Sequence, residues 1–270
     1  KVGAGYSDSS GAIFNIKVEQ DNFLGKGNNV GIEIEKSSYK KLLRYRNTNP
    51  YFTEDGISKS TSLVFSETDV SSTSTASYIS DTIAYGIDYN VPISETRSYG
   101  YGAELILTDY TTTVGSPNNV TSFINEYGNS HFGLMIRASL TEDTRNRTVY
   151  AQQGKKQSIR SSLFIKPDLD YSYASIKFTG EYNTPYNLNF FNMFTWDTSF
   201  QVKPQLGLGT GLLGESSLPF HDKFFAGGDK TVRGFDSGSL GPLRNNPACT
   251  AKTCDAIGGD FLSVIQNDWV

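Results

Sequence analysis

The chain has 270 residues, of which 37% are hydrophobic, 13% aromatic and 19% charged, with 24 basic against 28 acidic side chains and a net charge of -4. So few apolar residues fill a solid core of this size poorly, while 16 Tyr and 17 Phe are too many for a disordered chain. The acidic balance argues against a nucleic-acid partner, and no run of about 18 apolar residues supplies a transmembrane helix.

The dominant pattern along the chain is alternation with period two. Phe14, Ile16 and Val18 share one face while Asn15, Lys17 and Glu19 share the other. Val30, Ile32 and Ile34 alternate with Gly31, Glu33 and Glu35, and Ile83, Tyr85, Ile87, Tyr89 and Val91 repeat the pattern. Further on, Phe132, Leu134, Ile136, Ala138 and Leu140 do the same, as do Val202, Leu206 and Leu208 against Gln201, Lys203 and Gln205. The alternation predicts twelve strands, near 1–8, 11–20, 28–37, 39–47, 57–68, 78–92, 95–110, 131–144, 157–168, 172–184, 197–210 and 257–267. One stretch reads as helical: Val120, Phe123, Ile124 and Tyr127 fall on one helix face, with Asn119 placed to cap and Gly128 to stop it.

Two all-β architectures produce such walls. A soluble sandwich turns the apolar face inward, whereas an outer-membrane barrel turns it to lipid and keeps a polar lumen. Three features favour the antiparallel transmembrane β-barrel. Aromatic residues sit near strand ends, as an interfacial girdle would place them: Tyr51, Phe52, Tyr99, Tyr101, Tyr171, Tyr173 and Trp196. The polar faces carry charges and glycines. Connections alternate between short (90–96) and long (109–130 and 211–256).

The most specific stretch is Phe224–Phe235, F-F-A-G-G-D-K-T-V-R-G-F, followed by Gly241-Pro242. It resembles the loop-six signature of the BamA family, the central subunit of the outer-membrane β-barrel assembly machinery, and of the superfamily around it. Asp21-Asn22-Phe23-Leu24-Gly25-Lys26-Gly27 is similar to that family's turn between strands two and three. Asn49-Pro50-Tyr51-Phe52 is similar to the end of its strand four, 119–128 falls where it carries a loop-four helix, and Ile257-Gly258-Gly259 resembles the start of its strand twelve. The resemblance thus runs over nearly the whole chain.

The resemblance implies a sixteen-stranded barrel, preceded by periplasmic POTRA domains, with a long loop six folded into the lumen. On that expectation 1–270 is an incomplete C-terminal barrel domain holding strands one to about twelve, without the POTRA domains and the last four strands. The alternative is closure of Lys1–Asp8 onto the last strand, because open edges cannot face lipid cheaply. The implied function is folding and inserting other β-barrel proteins through a lateral gate at strand one, here Val2, Gly3, Ala4, Gly5 and Tyr6. Its implied surroundings are the lipid bilayer of the bacterial outer membrane, unfolded outer-membrane proteins as substrates and assembly-machinery lipoproteins as partners. The loop-six anchor would be Gly227, Gly228, Val232, Arg233, Gly234 and Phe235, with Arg233 in a confined, partly desolvated site and Asp268 as its carboxylate. Cys249 and Cys254 fall where relatives carry a loop-six cysteine pair, which implies a disulfide.

Other chemistry finds little support. Gly214-Glu215-Ser216-Ser217 is not a nucleophile elbow, and no Ser/His/carboxylate trio stands out, so no enzyme is expected. His131 and His221 lack zinc-ligand spacing, so no metal is expected, and the family resemblance implies insertion without a cofactor. Two further functions stay open: a superfamily relative that secretes a partner protein or serves as a translocation-assembly homologue, and a passive porin-like channel. For the channel, an inward loop with a single arginine would be superfluous.

Overall fold

Alternating bulky apolar and polar side chains commit a chain to strands with two unlike faces, and such strands pair most simply with their sequence neighbours. The computed structural model describes residues 1–7, 11–70, 78–113, 116–168, 170–190, 194–213, 216–243 and 256–269. Its strands are β1 Val2–Ser7, β2 Gly11–Gln20, β3 Asn29–Lys36, β4 Lys40–Asn49, β5 Ser58–Asp69 and β6 Tyr78–Pro92. They continue with β7 Arg97–Thr112, β8 Ser130–Asp143, β9 Gly154–Ile165, β10 Ser172–Phe190, β11 Phe194–Leu212 and β12 Phe261–Trp269. All twelve form one antiparallel meander in chain order. Among the described residues β1 pairs only with β2 and β12 only with β11, so the sheet is open between them.

The two faces separate as the alternation demands. Phe14, Val18, Ile83, Tyr85, Leu105, Phe132 and Leu208 are exposed on one face. A soluble sandwich would bury such side chains between its sheets; here they form the lipid-facing wall of a membrane barrel. The opposite, inner face carries ion pairs between strands, including Arg44–Glu33 at 3.1 Å and Arg137–Glu104 at 2.7 Å. Connections at one end include 37–39, 113–129, 166–171 and 213–260, while the other end has 21–28, 50–57, 93–96 and 144–153.

The helix α1, Asn118–Tyr127, lies in the connection between β7 and β8. Its start differs from expectation. Pro117, not Asn119, is the N-cap, and its carbonyl accepts from Val120 and Thr121 at 3.0 and 3.1 Å. Pro117 begins the helix early because its fixed φ of -65 already suits that position. Asn119 is therefore inside the helix, where its amide has no hydrogen-bond partner among the described residues. Gly128 does end the helix, with φ of 83.

Three further differences concern aromatic residues and strand ends. Tyr51, Phe52, Tyr99 and Tyr101 are exposed, but Tyr171 and Tyr173 are 2% and 3% exposed and face inward, packed against Phe164 and Leu218. They belong to an interior cluster, not to a girdle. The β10–β11 hairpin also runs further than expected, its ladder continuing without a break from Tyr182↔Val202 to Phe190↔Phe194. Strand β12 starts at Phe261, because Gly259 instead bridges to Phe224 of the preceding loop. Cys249, Cys254, Asp8 and the Trp196 side chain lie outside the described residues.

Candidate functional site

Loop six is the connection 213–260 between β11 and β12, and it folds over the inner face. Its seat is built from missing side chains. A Cβ on Gly207 of β11 would come within 2.9 Å of the Phe224 ring, and one on Gly209 would overlap the Leu218 side chain. Wall glycines thus leave dents that the loop fills. The loop's two ends are clasped by Asp260, which accepts from the Leu218 N–H at 2.9 Å, Ser217 Oγ at 3.0 Å and Lys223 Nζ at 3.1 Å. Burial works to raise the Asp260 pKa, but these donors outweigh it and hold the carboxyl below its ordinary range. Phe224 and Gly259 exchange backbone hydrogen bonds of 2.8 and 2.9 Å, closing the base of the loop.

Further along, the loop makes a tight hairpin. Gly227 has φ of 113, and a Cβ there would collide with the Asp236 carbonyl. The Gly227 N–H donates to Thr231 Oγ1 at 2.8 Å, and that hydroxyl donates back to the Gly227 carbonyl at 2.8 Å. Gly228 N–H donates to Phe235 O at 3.0 Å, across the turn that holds Val232, Arg233 and Gly234. Two wall glutamines grip the tip by its main chain. Gln205 Nε2 donates to Lys230 O at 2.8 Å and Gln266 Nε2 to Asp229 O at 3.0 Å.

Arg233 Nη1 stands 2.7 Å from Asp268 Oδ1, and Lys203 Nζ reaches the other carboxylate oxygen at 3.3 Å. The pair is not confined as expected. Asp268 is 11% exposed at its side chain, but Arg233 is 67% exposed. Asp268 sits on β12, the edge of the sheet, so the wall shields the carboxylate from one side and leaves the guanidinium facing open lumen. An ion pair so exposed contributes at most about 1 kcal/mol. Phe235 is also exposed.

A second set of contacts was not legible from motifs. The loop-six residues Phe220 and His221 enter a cluster of rings with Tyr78, Tyr110 and Tyr173 from the wall and Phe123 from α1. Phe123 meets Phe220 at 5.3 Å and Tyr171 at 5.1 Å between ring centroids, and Val120 is fully buried beside them. Both histidines of the chain lie here. His131 Nε2–H donates to Gly128 O at 2.9 Å, and Nδ1 stands in hydrogen-bonding contact with the Tyr171 hydroxyl at 3.0 Å. The His221 ring stacks on Tyr110 at 5.0 Å, and its Nδ1 is shut off from solvent without a partner among the described residues. Burial pushes its pKa down to about 4, against an upward pull from the Asp222 carboxylate. Only the spatial meeting of 131 with 221 reveals the cluster, although the lone histidines among tyrosines were a signal. Among the described residues, no three His, Cys, Asp or Glu side chains gather to hold a metal ion.

The opposite edge is the thin one. Strand β1 has six residues, and Val2 and Tyr6 are 82% and 78% exposed. Gly3 and Gly5 pair with Asn15 and Ile13 of β2 and present no side chain to either face.

Comparison with known proteins agrees with this geometry. A family model described as the Omp85 superfamily domain matches residues 22–265. The outer membrane protein assembly factor BamA of Neisseria meningitidis serogroup B is 25% identical over 252 residues, covering 89% of this chain and 30% of that protein. The protein of the same name from Buchnera aphidicola subsp. Acyrthosiphon pisum is 42% identical over 50 residues, 18% of this chain and 8% of that protein. The crystal structure of BamA from Haemophilus ducreyi lacking POTRA domains 1-3 shares the fold, with a TM-score of 0.82 at 23% identity over 99% of this chain and 52% of that one. The chain therefore spans well under two thirds of the length of these relatives.

Proposed function

Because the chain belongs to the Omp85 superfamily, we propose that it forms the barrel of an outer-membrane protein assembly factor, which folds and inserts other β-barrel proteins into the bacterial outer membrane. The observation that carries this reading is the seated loop six: a glycine-dented inner wall holds a hairpin whose Arg233 meets Asp268 at 2.7 Å. A passive channel has no use for a hairpin built across its lumen. The names of the Neisseria and Buchnera relatives support the same function.

In this reading no covalent chemistry is needed. The lateral gate is β1, Val2–Tyr6, whose weak ladder lends its free edge to an incoming strand by β-augmentation. Arg233 and its neighbours hold the plug in place while the seam opens. The substrates are unfolded outer-membrane proteins, the solvent is the lipid bilayer, and assembly-machinery lipoproteins are the partners.

The test is depletion of the protein in its own cell, followed by measuring several unrelated outer-membrane barrels. A general fall in their levels is the expected result. Loss of one exported partner with the other barrels unchanged would replace this reading with secretion of a dedicated cargo.

A further inference from the structure

Inward-facing cations in this wall are mostly matched to acids. Arg44 meets Glu33 at 3.1 Å, Arg137 meets Glu104 at 2.7 Å and Asp88 at 3.3 Å, and Lys203 meets Asp268 at 3.3 Å. Arg160 of β9 and Lys177 of β10 depart from that rule. They are direct cross-strand partners. Both share the inner face, since Phe164 lies four residues from Arg160 and Tyr173 four from Lys177, and both rings pack beneath loop six. Neither forms an ion pair among the described residues, and like charges placed directly opposite destabilise a ladder.

Beside them the next inward pair in the same register is Ser162 opposite Ser175, their hydroxyls 2.7 Å apart. One hydroxyl proton is spent in that contact, which leaves the second free to donate outward. The four side chains line a chamber of about 610 Å³ under loop six. Three carboxylates share the chamber: Asp88 and Glu104 both pair with Arg137, and Asp222 lines it without an ion pair among the described residues.

We propose that Arg160, Lys177 and the Ser162–Ser175 pair form an oxyanion site for a phosphate group, free or carried on a lipid headgroup. Two cations supply charge-assisted donors, the free hydroxyl supplies a third, and the bound anion relieves the repulsion across the ladder.

The test uses the chain in neutral detergent, with inorganic phosphate as one probe and phosphatidic acid doped into the micelles as the other, at matched ionic strength. At roughly ten times its dissociation constant the probe should raise the melting midpoint by about 3–6 °C. A shift with inorganic phosphate assigns the site to a soluble anion, and a shift with phosphatidic acid alone assigns it to a headgroup. Arg160→Gln with Lys177→Gln should abolish the shift. Should that double variant fail to fold, Ser162→Ala with Ser175→Ala should weaken the response several-fold. No shift with either probe, or a shift that persists unchanged in these variants, overturns the proposal.

Discussion

The ring of Phe224 occupies the space that a side chain on Gly207 would need, at 2.9 Å from the position of its missing Cβ. A strand glycine is normally a weakness, but here it is the socket for a plug residue. Gly207→Val should therefore lift loop six and cost about 1–3 kcal/mol through overpacking. Urea unfolding reads the loss, and faster proteolytic cutting within 216–243 reads the lifted loop. Adding Phe224→Ala should recover part of the loss, because it vacates the contested space.

The Arg233–Asp268 pair gives a second expectation. With the guanidinium 67% exposed, a double-mutant cycle with Arg233→Ala and Asp268→Ala should yield a coupling of only about 0.2–1 kcal/mol. Asp268→Ala alone should cost more than Arg233→Ala alone, because it also strips Lys203 of its partner at 3.3 Å. A coupling of several kcal/mol would mean that the pair closes into a dry site when the barrel folds in lipid.

His221 makes loop six sensitive to acid. Its pKa falls from an ordinary 6.5 to about 4 on folding, so the unfolded chain binds the extra proton between those values. Its contribution is full above about pH 6.5 and is lost as pH falls toward 4. Between pH 7 and 4.5 that loss should amount to about 2–3 kcal/mol. His221→Phe should flatten this part of the stability profile, measured by urea unfolding at each pH.

Strand β1 offers the sharpest separation of stability from activity. A Cβ on Gly5 would meet nothing within 4 Å, and one on Gly3 would only touch the Asn15 carbonyl at 4.0 Å. Gly3→Val and Gly5→Val should each strengthen the β1–β2 ladder by about 0.5–1 kcal/mol. If β1 is the gate, the same changes should lower the assembly of other outer-membrane barrels in cells. Unimpaired assembly with a stiffened β1 would remove the gate from this strand.

How much of this was readable without coordinates depends on range. Period-two alternation is local, so the twelve strands and the lipid-facing set around Phe14, Ile83 and Phe132 were legible in the residues themselves. The Phe224–Phe235 string marked the inward loop. What alternation does not encode is which ring at a strand end meets a neighbour from elsewhere. Tyr171 and Tyr173 looked like girdle residues until α1 and loop six arrived beside them. The exposure of Arg233 was equally hidden, because it depends on how near its partner lies to the sheet edge. Gly207, Gly209 and Gln205 carry no motif, and their roles appear only once Phe224, Leu218 and the Lys230 carbonyl are set against them.

The grip of Gln205 and Gln266 falls on peptide carbonyls rather than on the side chains of Asp229 and Lys230. Those two positions are thus free to drift in character without unseating the hairpin. Evolution can retune the charge that the tip presents to the lumen while the mounting beneath it stays the same.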